Sequence, residues 1–503
     1  MLRDYVIGVD CSTTAAKAVV WNARGEALSQ ARCAFSLSQP RPGWGEQNAE
    51  DWWTASAEAI RRAAQTVDTS RIGAICITHQ RESFVCLDDE GIPLRPAMLW
   101  LDTRATAEVS TFGTEDVHRL TGKPANPTPA WYKLHWLQAH EPDTVSRIGK
   151  VVDVHGFLVH RLTGAWLTSW ASADPLGLVD MSTFDYDDGL VTAVGLDRRQ
   201  LSELRPPGSL LGNLTDDAAA RLGLPSGVAV VAGAGDGQCA QLGAGATSGG
   251  RAYLNLGSGI VSGTFSDHYS YAREYRTLSA AVPGAYTLET FIGGGTINLG
   301  WFIERFSGID AQSLGLGLSP EQVLETAAAA LPPGSEGLLA LPYWTGALTP
   351  YWDHNARGAL LGLTGIHGKA HVYRALLEGL AFEQRLLTTG AEKALAEPVA
   401  EVIALGGGSR SPVWCQIIAD VMQRSVSVVR DPESTCLGAG MLAAAAAGIH
   451  DSVASAAKAM SGTGLSYEPQ PTAAAAYDRL YDVYRDIYPA NRAVFAKLAE
   501  ATR

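Results

Sequence analysis

Tyr5-Val6-Ile7-Gly8-Val9-Asp10-Cys11-Ser12-Thr13-Thr14-Ala15-Ala16-Lys17-Ala18-Val19-Val20-Trp21 is the stretch on which the rest of the chain is read. Two β-branched apolar runs, 5–9 and 17–21, predict strands, and the hydroxyl-rich residues between them predict a tight turn. Successive N–H groups and Ser/Thr hydroxyls in such a turn can cradle phosphate oxygens without a net positive charge. Asp10, closing the first strand, has the chemistry to hold a hydrated Mg²⁺, an ion that keeps several waters and needs few carboxylates. Thr13 and Thr14 would donate to terminal phosphates, with Lys17 as a nearby point charge. Taken alone, the same residues more often form an ordinary hairpin turn.

Outward from this turn, 26–32 predicts a third strand, 51–66 a helix, and 72–78 and 84–87 two more strands. Helices are expected near 131–139 and 155–162. A buried strand at 228–232 then leads into Gly233-Ala234-Gly235-Asp236-Gly237. After Thr247-Ser248-Gly249-Gly250 the opening pattern restarts: strand 252–256, the small turn Gly257-Ser258-Gly259, strand 260–264. Two copies of one device predict two related domains, 1–248 and 249–503. Further on come a helix over 372–387, a strand over 402–405, the triplet Gly406-Gly407-Gly408 and a helix carrying Ile417, Ile418, Val421 and Met422. Tyr477, Leu480, Tyr481, Tyr484 and Tyr488 predict a terminal helix with one packing seam. Strands alternating with helices in both halves make the class α/β.

Composition narrows the function. The chain has 503 residues, 46% of them apolar and 18% charged, so it can fill several cores. A net charge of −13 argues against a nucleic-acid-binding surface. Seven scattered cysteines without a C-x-x-C predict neither a disulfide framework nor a zinc ribbon. No apolar run reaches membrane-spanning length, and MLRDYVIGVD enters a strand with no secretory h-region. The expectation is a cytoplasmic protein with no membrane or nucleic-acid partner. The P-loop, the Rossmann fingerprint, H-E-x-x-H and G-x-S-x-G are all absent.

What remains are the two turns, Asp236, the Gly triplet and Gln80-Arg81-Glu82. Asp236 follows a buried strand among small residues, where a substrate can approach closely. It is a candidate general base or a cap for the next helix. Arg81 and Glu82 can bracket polyol hydroxyls or form a surface pair. The Gly triplet offers a flat seat for adenosine or a simple strand-to-helix turn.

In order along the chain, these pieces resemble the FGGY family of carbohydrate kinases. Asp10-Cys11-Ser12-Thr13-Thr14-Ala15-Ala16-Lys17 is similar to the family's phosphate loop, with Ser12 in place of the usual Gly. Trp100-Leu101-Asp102-Thr103-Arg104 resembles W-x-D-x-R, and 129–138 resembles the first family signature. Residues 358–363 with 374–378 resemble the second. Residues 406–414 through Asp420, with Glu433 and 437–439, resemble the adenosine segment.

The resemblance implies two ribonuclease-H-like domains of the actin/hexokinase type with a cleft between them. It implies Asp236 as general base, Asp10 for Mg²⁺, and Thr13, Thr14, Lys17, Gly257, Ser258, Gly294, Asn298, Gly407 and Ser411 around ATP. Gln80, Arg81, Glu82 and Trp100 would join Asp236 on the acceptor side, and a homodimer is the partner expectation. Gln80-Arg81-Glu82 resembles glycerol kinases. Asp102, Arg104 and Pro42–Gln47 resemble xylulose and gluconate kinases, and Thr128 and Gly237 replace residues that glycerol kinases carry. The implied acceptor is a pentulose, xylulose-like first, with glycerol or another polyol second. A non-catalytic sensor and a partner-driven ATPase are the rivals on the same fold.

Overall fold

The computed structural model describes residues 3–309 and 317–501; Met1 and Leu2, the first residues of MLRDYVIGVD, lie outside the described residues. Its first sheet is built from β1 (Tyr5–Cys11), β2 (Ala15–Trp21), β3 (Ala27–Ala34), β4 (Ile72–His79), β5 (Leu210–Asn213) and β6 (Ala229–Gly235). The second uses β7 (Arg251–Leu256), β8 (Ile260–Ser266), β9 (Arg276–Ser279), β10 (Tyr286–Ile292), β11 (Glu401–Leu405), β12 (Ser425–Val429) and β13 (Thr463–Tyr467). Strand order is β5-β6-β4-β1-β2-β3 in the first and β9-β10-β8-β7-β11-β12-β13 in the second.

The two sheets repeat one topology. In the first, β1 pairs antiparallel with β2 and β2 with β3, while β4 and β6 add in parallel and antiparallel β5 closes the edge. In the second, β7, β8 and β10 are antiparallel, β11 and β12 add in parallel, and antiparallel β13 closes the edge. Parallel neighbours need long crossovers that bring helices onto the faces. These strands are accordingly buried on both sides, which is why β1, β4 and β6 read as continuous apolar runs.

Eight helices position the site: α1 (Ala49–Ala64), α2 (Val154–Thr163), α3 (Asp236–Gly243), α4 (Thr296–Phe306), α5 (Lys369–Glu392), α6 (Pro412–Met422), α7 (Ser434–Ala446) and α8 (Pro471–Ala501). Helices α1 and α2 cover one face of the first sheet through Trp52, Ile60 and Phe157 against Ile7, Val9 and Val20. The other face, with Val6, Val19 and Trp21, packs on Cys239 and Leu242 of α3 and on Leu437, Met441 and Leu442 of α7. A helix from the second half therefore completes the first core, and the packing crosses residue 248.

Helix α3 lies between the two sheets, since Ala240 packs with Tyr253, Ile403 and Leu405 of the second. Its fit against α7 requires glycine on both sides. A Cβ on Gly243 would stand 1.9 Å from the Ser434 carbonyl oxygen, and one on Gly438 2.0 Å from that of Cys239. The opposite face of the second sheet carries α5, α6 and α8, where the Tyr477, Tyr481, Tyr484 and Tyr488 seam is buried as its spacing implied. Among the described residues no helix is long and apolar enough to cross a membrane.

Candidate active site

Strand β6 ends at Gly235 and α3 begins at Asp236, with Gly235 in the N-cap position. Asp236 is thus the first helical residue, where a carboxylate is favoured by the helix dipole, and not the cap itself. One carboxylate oxygen is committed: Oδ1 accepts from the Gly237 N–H at 2.8 Å and stands 2.8 Å from Arg81 Nε. Oδ2 makes no hydrogen bond among the described residues, and 42% of the side chain is open to solvent. The sequence left capping and catalysis as alternatives for this residue; the structure places it one position past the cap, with one oxygen anchored and the other without a hydrogen bond among the described residues.

Arg81, two residues past the end of β4, is buried and forked. Besides the Asp236 contact, its NH1 donates to Glu289 Oε2 at 2.7 Å, while NH2 makes no hydrogen bond with a described residue. Glu82 follows with positive φ, and its Oε1 accepts from Arg276 NH1 at 2.5 Å. Arg276 in turn donates from Nε to Glu289 Oε1 at 2.5 Å. The Arg81-Glu82 dipeptide is therefore not a surface pair; it enters a buried chain of alternating charge that ends at Asp236. The glycines flanking Asp236 make room for it. A Cβ on Gly235 would meet Arg81 Cγ at 2.4 Å, and one on Gly237 would meet Glu289 Oε2 at 2.7 Å.

Asp10 closes β1 opposite Lys17 on β2. Its Oδ1 is buried without a hydrogen-bond partner. Burial first, then the facing Asp236 carboxylate, pushes the Asp10 carboxyl up to about 8, against the pull of Lys17. An orphaned carboxylate oxygen needs a cation to be tolerated when ionised. Among the described residues no group of three or more His, Cys, Asp or Glu side chains forms a metal cage. A single carboxylate suits a hydrated Mg²⁺ that takes its other ligands from water and phosphate, so Asp10 fits that ion.

Around the turn, Ser12 Oγ donates to the Ala15 carbonyl at 2.9 Å and closes it locally. The Trp100 indole N–H donates to Thr13 Oγ1 at 3.0 Å, so Thr13 keeps its own hydroxyl hydrogen for an outside acceptor. Thr14 is exposed. Lys17 Nζ reaches Glu433 Oε1 at 2.7 Å, an ion pair between the halves that was not anticipated. Gln80 lies behind the turn: its amide donates to Gln47 Oε1 at 2.9 Å, while Gln47 donates to the Thr13 carbonyl at 2.5 Å. Gln80 is 1% exposed and braces the turn instead of facing a ligand. Asp102 and Arg104 are likewise internal, latched to Glu46 and the Gly45 N–H with Arg104 stacked on Trp44.

On the second sheet, Gly257 and Ser258 form the turn between β7 and β8. The Thr296 N–H and hydroxyl both donate to the Gly257 carbonyl, at 2.9 and 3.1 Å, which pins the turn to the start of α4. Asn298 is buried under Gly294, whose Cβ would stand 2.3 Å from its Nδ2, and it donates to the Pro342 carbonyl at 3.2 Å. In this structure Asn298 supports the loop from beneath. Ser411 caps α6 by accepting from the Trp414 N–H at 3.0 Å and donates to Glu325.

The Gly triplet divides cleanly. Gly406 has φ +83° and faces Asn255 Oδ1, and a Cβ on Gly408 would strike Trp414 at 2.4 Å. A Cβ on Gly407 would meet nothing within 4 Å. Packing accounts for the outer two glycines, and Gly407 alone leaves a flat open surface.

Arg276, Glu289 and Tyr253 were missed from sequence. The only signal was a carboxylate in the middle of the strand Tyr286–Ile292, whose other residues are apolar or Thr; a buried charge there requires partners.

Comparison with known proteins agrees over both halves. The family model described as FGGY family of carbohydrate kinases, N-terminal domain, matches residues 5–243, and the C-terminal domain model matches 252–447. A xylulose kinase of Lactococcus lactis is 29% identical over 504 residues, covering 99% of both chains. A gluconokinase of Bacillus subtilis is 27% identical over 493 residues, covering 96% of this chain and 95% of its own. Among solved structures, gluconate kinase from Lactobacillus acidophilus superposes with a TM-score of 0.92 at 27% identity, covering 98% of this chain and 99% of its own.

Proposed function

This chain belongs to the FGGY family of carbohydrate kinases, and from that premise we propose that it phosphorylates a neutral small sugar or polyol from ATP, a pentulose such as xylulose first, with Asp236 as general base. The fold is the two-domain actin/hexokinase-like one, and the enzyme is a phosphotransferase acting on a sugar. The reading rests above all on the split carboxylate of Asp236, one oxygen anchored and the other free beside Arg81 and Asp10.

In this reading the acceptor O–H gives its proton to Asp236 Oδ2 as its oxygen bonds to the γ-phosphorus. The γ-phosphorus–oxygen bond to ADP breaks, and ADP leaves with the electron pair. Mg²⁺, held by Asp10, would neutralise charge on the phosphates. Thr13, Thr14 and the 257–258 turn meet the phosphate oxygens from two sides, with Lys17 nearby, and the open surface at Gly407 takes the adenosine. Residues 1–248 supply the sugar and phosphate side and 249–503 the nucleotide side. Approach of the halves would exclude water and limit wasteful hydrolysis.

The proposed acceptor class is supported by what the charge chain leaves unbonded. Asp236 Oδ2, Arg81 NH2 and Glu82 Oε2 make no hydrogen bond among the described residues. Two acceptors and one donor suit the hydroxyls of a neutral acceptor. A shorter polyol such as glycerol is the second reading, favoured by the free ends of Arg81 and Glu82. The test is Mg·ATP-dependent ADP release with D-xylulose, L-xylulose, D-ribulose, L-ribulose, glycerol, erythritol and gluconate. A neutral acceptor is expected to win; gluconate winning would overturn the acceptor class, and ATP binding without turnover on any acceptor would favour a sensor. Asp236→Asn should lower kcat by roughly 10²- to 10⁴-fold with ATP affinity kept, and an unchanged kcat would refute the base.

A further inference from the structure

Arg276 and Glu289 belong to the second sheet, yet they reach the acceptor side of the first. They are direct cross-strand partners on β9 and β10. Glu289 is wholly buried, and each of its oxygens is taken by a different guanidinium: Oε1 by Arg276, Oε2 by Arg81. The Tyr253 hydroxyl also donates to Oε2, at 3.3 Å. Burial alone would raise the Glu289 carboxyl, but Arg276 and then Arg81 hold it below the ordinary carboxylate range.

Such a chain is a poor device for stability, because desolvating several charges offsets what their attraction gains. Its geometry serves direction instead. Glu289 Oε2 accepts from NH1 of the planar Arg81 fork at 2.7 Å, while Asp236 Oδ1 stands in ionic contact with Nε at 2.8 Å, so the Glu289 bond sets where the guanidinium charge lies against Asp236. That charge falls on the same oxygen that accepts from the Gly237 N–H, which leaves Oδ2 without a hydrogen bond among the described residues. Arg276 does the same for Glu82, taking Oε1 and leaving Oε2.

We propose that Glu289 is a positioning residue that acts on the phosphoryl transfer through Arg81 and Asp236, and that Arg276 holds Glu289 and Glu82 in place for it. The acceptor pocket is then completed by a hairpin of the other half, so its alignment depends on how the halves are set. This inference rests on Asp236 being the base.

The test is a double-mutant cycle with the panel acceptor turned over fastest. Glu289→Gln keeps the size and loses the charge; it should lower kcat by about 10- to 100-fold, the cost of a misaligned reactive group, while the KM for ATP stays within about twofold. In an Asp236→Asn background the same change should cost less than about threefold, since residues acting as a unit are not additive. Equal costs in both backgrounds would overturn the proposal while leaving the base assignment standing. An Asp236→Asn enzyme with unchanged kcat would sink both. If Glu289→Gln melts below the assay temperature, Arg276→Lys in the same two backgrounds gives the same readings, because lysine keeps the charge without the two-sided fork.

Discussion

The hairpins β1–β2 and β7–β8 are two copies of one design put to different use. Counting back from the last paired residue of each first strand, Cys11 and Leu256, Asp10 corresponds to Asn255. One copy carries a carboxylate with a buried, unpartnered oxygen; the other carries a neutral amide whose Oδ1 faces the backbone of Gly406. The first turn keeps a buried carboxylate oxygen without a partner, while the second is pinned from behind by Thr296. Duplication of a fold therefore does not duplicate chemistry: the backbone supplies two phosphate-sized turns, and a single side-chain difference leaves the charge on one of them.

The strongest way to break this contrast is to make the first turn like the second. Asp10→Asn should lower kcat by at least about 10²-fold, as loss of a group that organises the phosphates does, with a melting temperature equal to or above the parent's. Removing an orphaned buried carboxylate costs the fold nothing. A variant that melts lower but turns over normally would show Asp10 to be structural.

A smaller effect sharpens the nucleotide side. Gly407→Ala should leave the melting temperature unchanged and raise the KM for ATP several-fold, because the new methyl meets no protein atom and only a ligand can feel it. Gly408→Ala is the control: its methyl strikes Trp414 and should destabilise by about 1–3 kcal/mol. Equal melting losses in the two variants would remove the case for Gly407 as an open seat.

The smallest effect concerns where the second half keeps its own charge. Glu383 on α5 is buried and receives hydrogen bonds from the hydroxyls of Tyr343 and of Tyr484 on α8. Burial outweighs those donors and raises its carboxyl from 4.5 to about 7. The native state then holds a proton that the unfolded chain has lost. Stability contributed by this group is full below about 4.5 and falls as pH rises through about 7. Melting curves should therefore show a loss of a few degrees across that window that Glu383→Gln flattens. A window of the same depth in the variant would assign it elsewhere.

Much of this was legible in the linear chain because it is local. Strand periodicity, the hydroxyl turn and its repeat at Ala252, and Asp236 after a buried strand depend on neighbours a few positions apart. The tyrosine seam of α8 was legible for the same reason. The motifs around Trp100 and Gln80 were visible too, but not their task. Trp100 donates to the Thr13 hydroxyl and Gln80 reaches the same turn through Gln47, and a motif does not say which way its residues point.

The sequence by itself determined the α/β class, the repeated hairpin and the place of Asp236, since each follows from backbone periodicity and turn chemistry within one segment. Only the tertiary structure decided which charges meet. Arg81 and Glu289 are 208 positions apart, and Lys17 and Glu433 are 416 apart. Neither pair has a local signature. An ion pair in a buried site is set by strand order and by how two sheets press on the helix between them, and that arrangement brings Arg81 against Asp236.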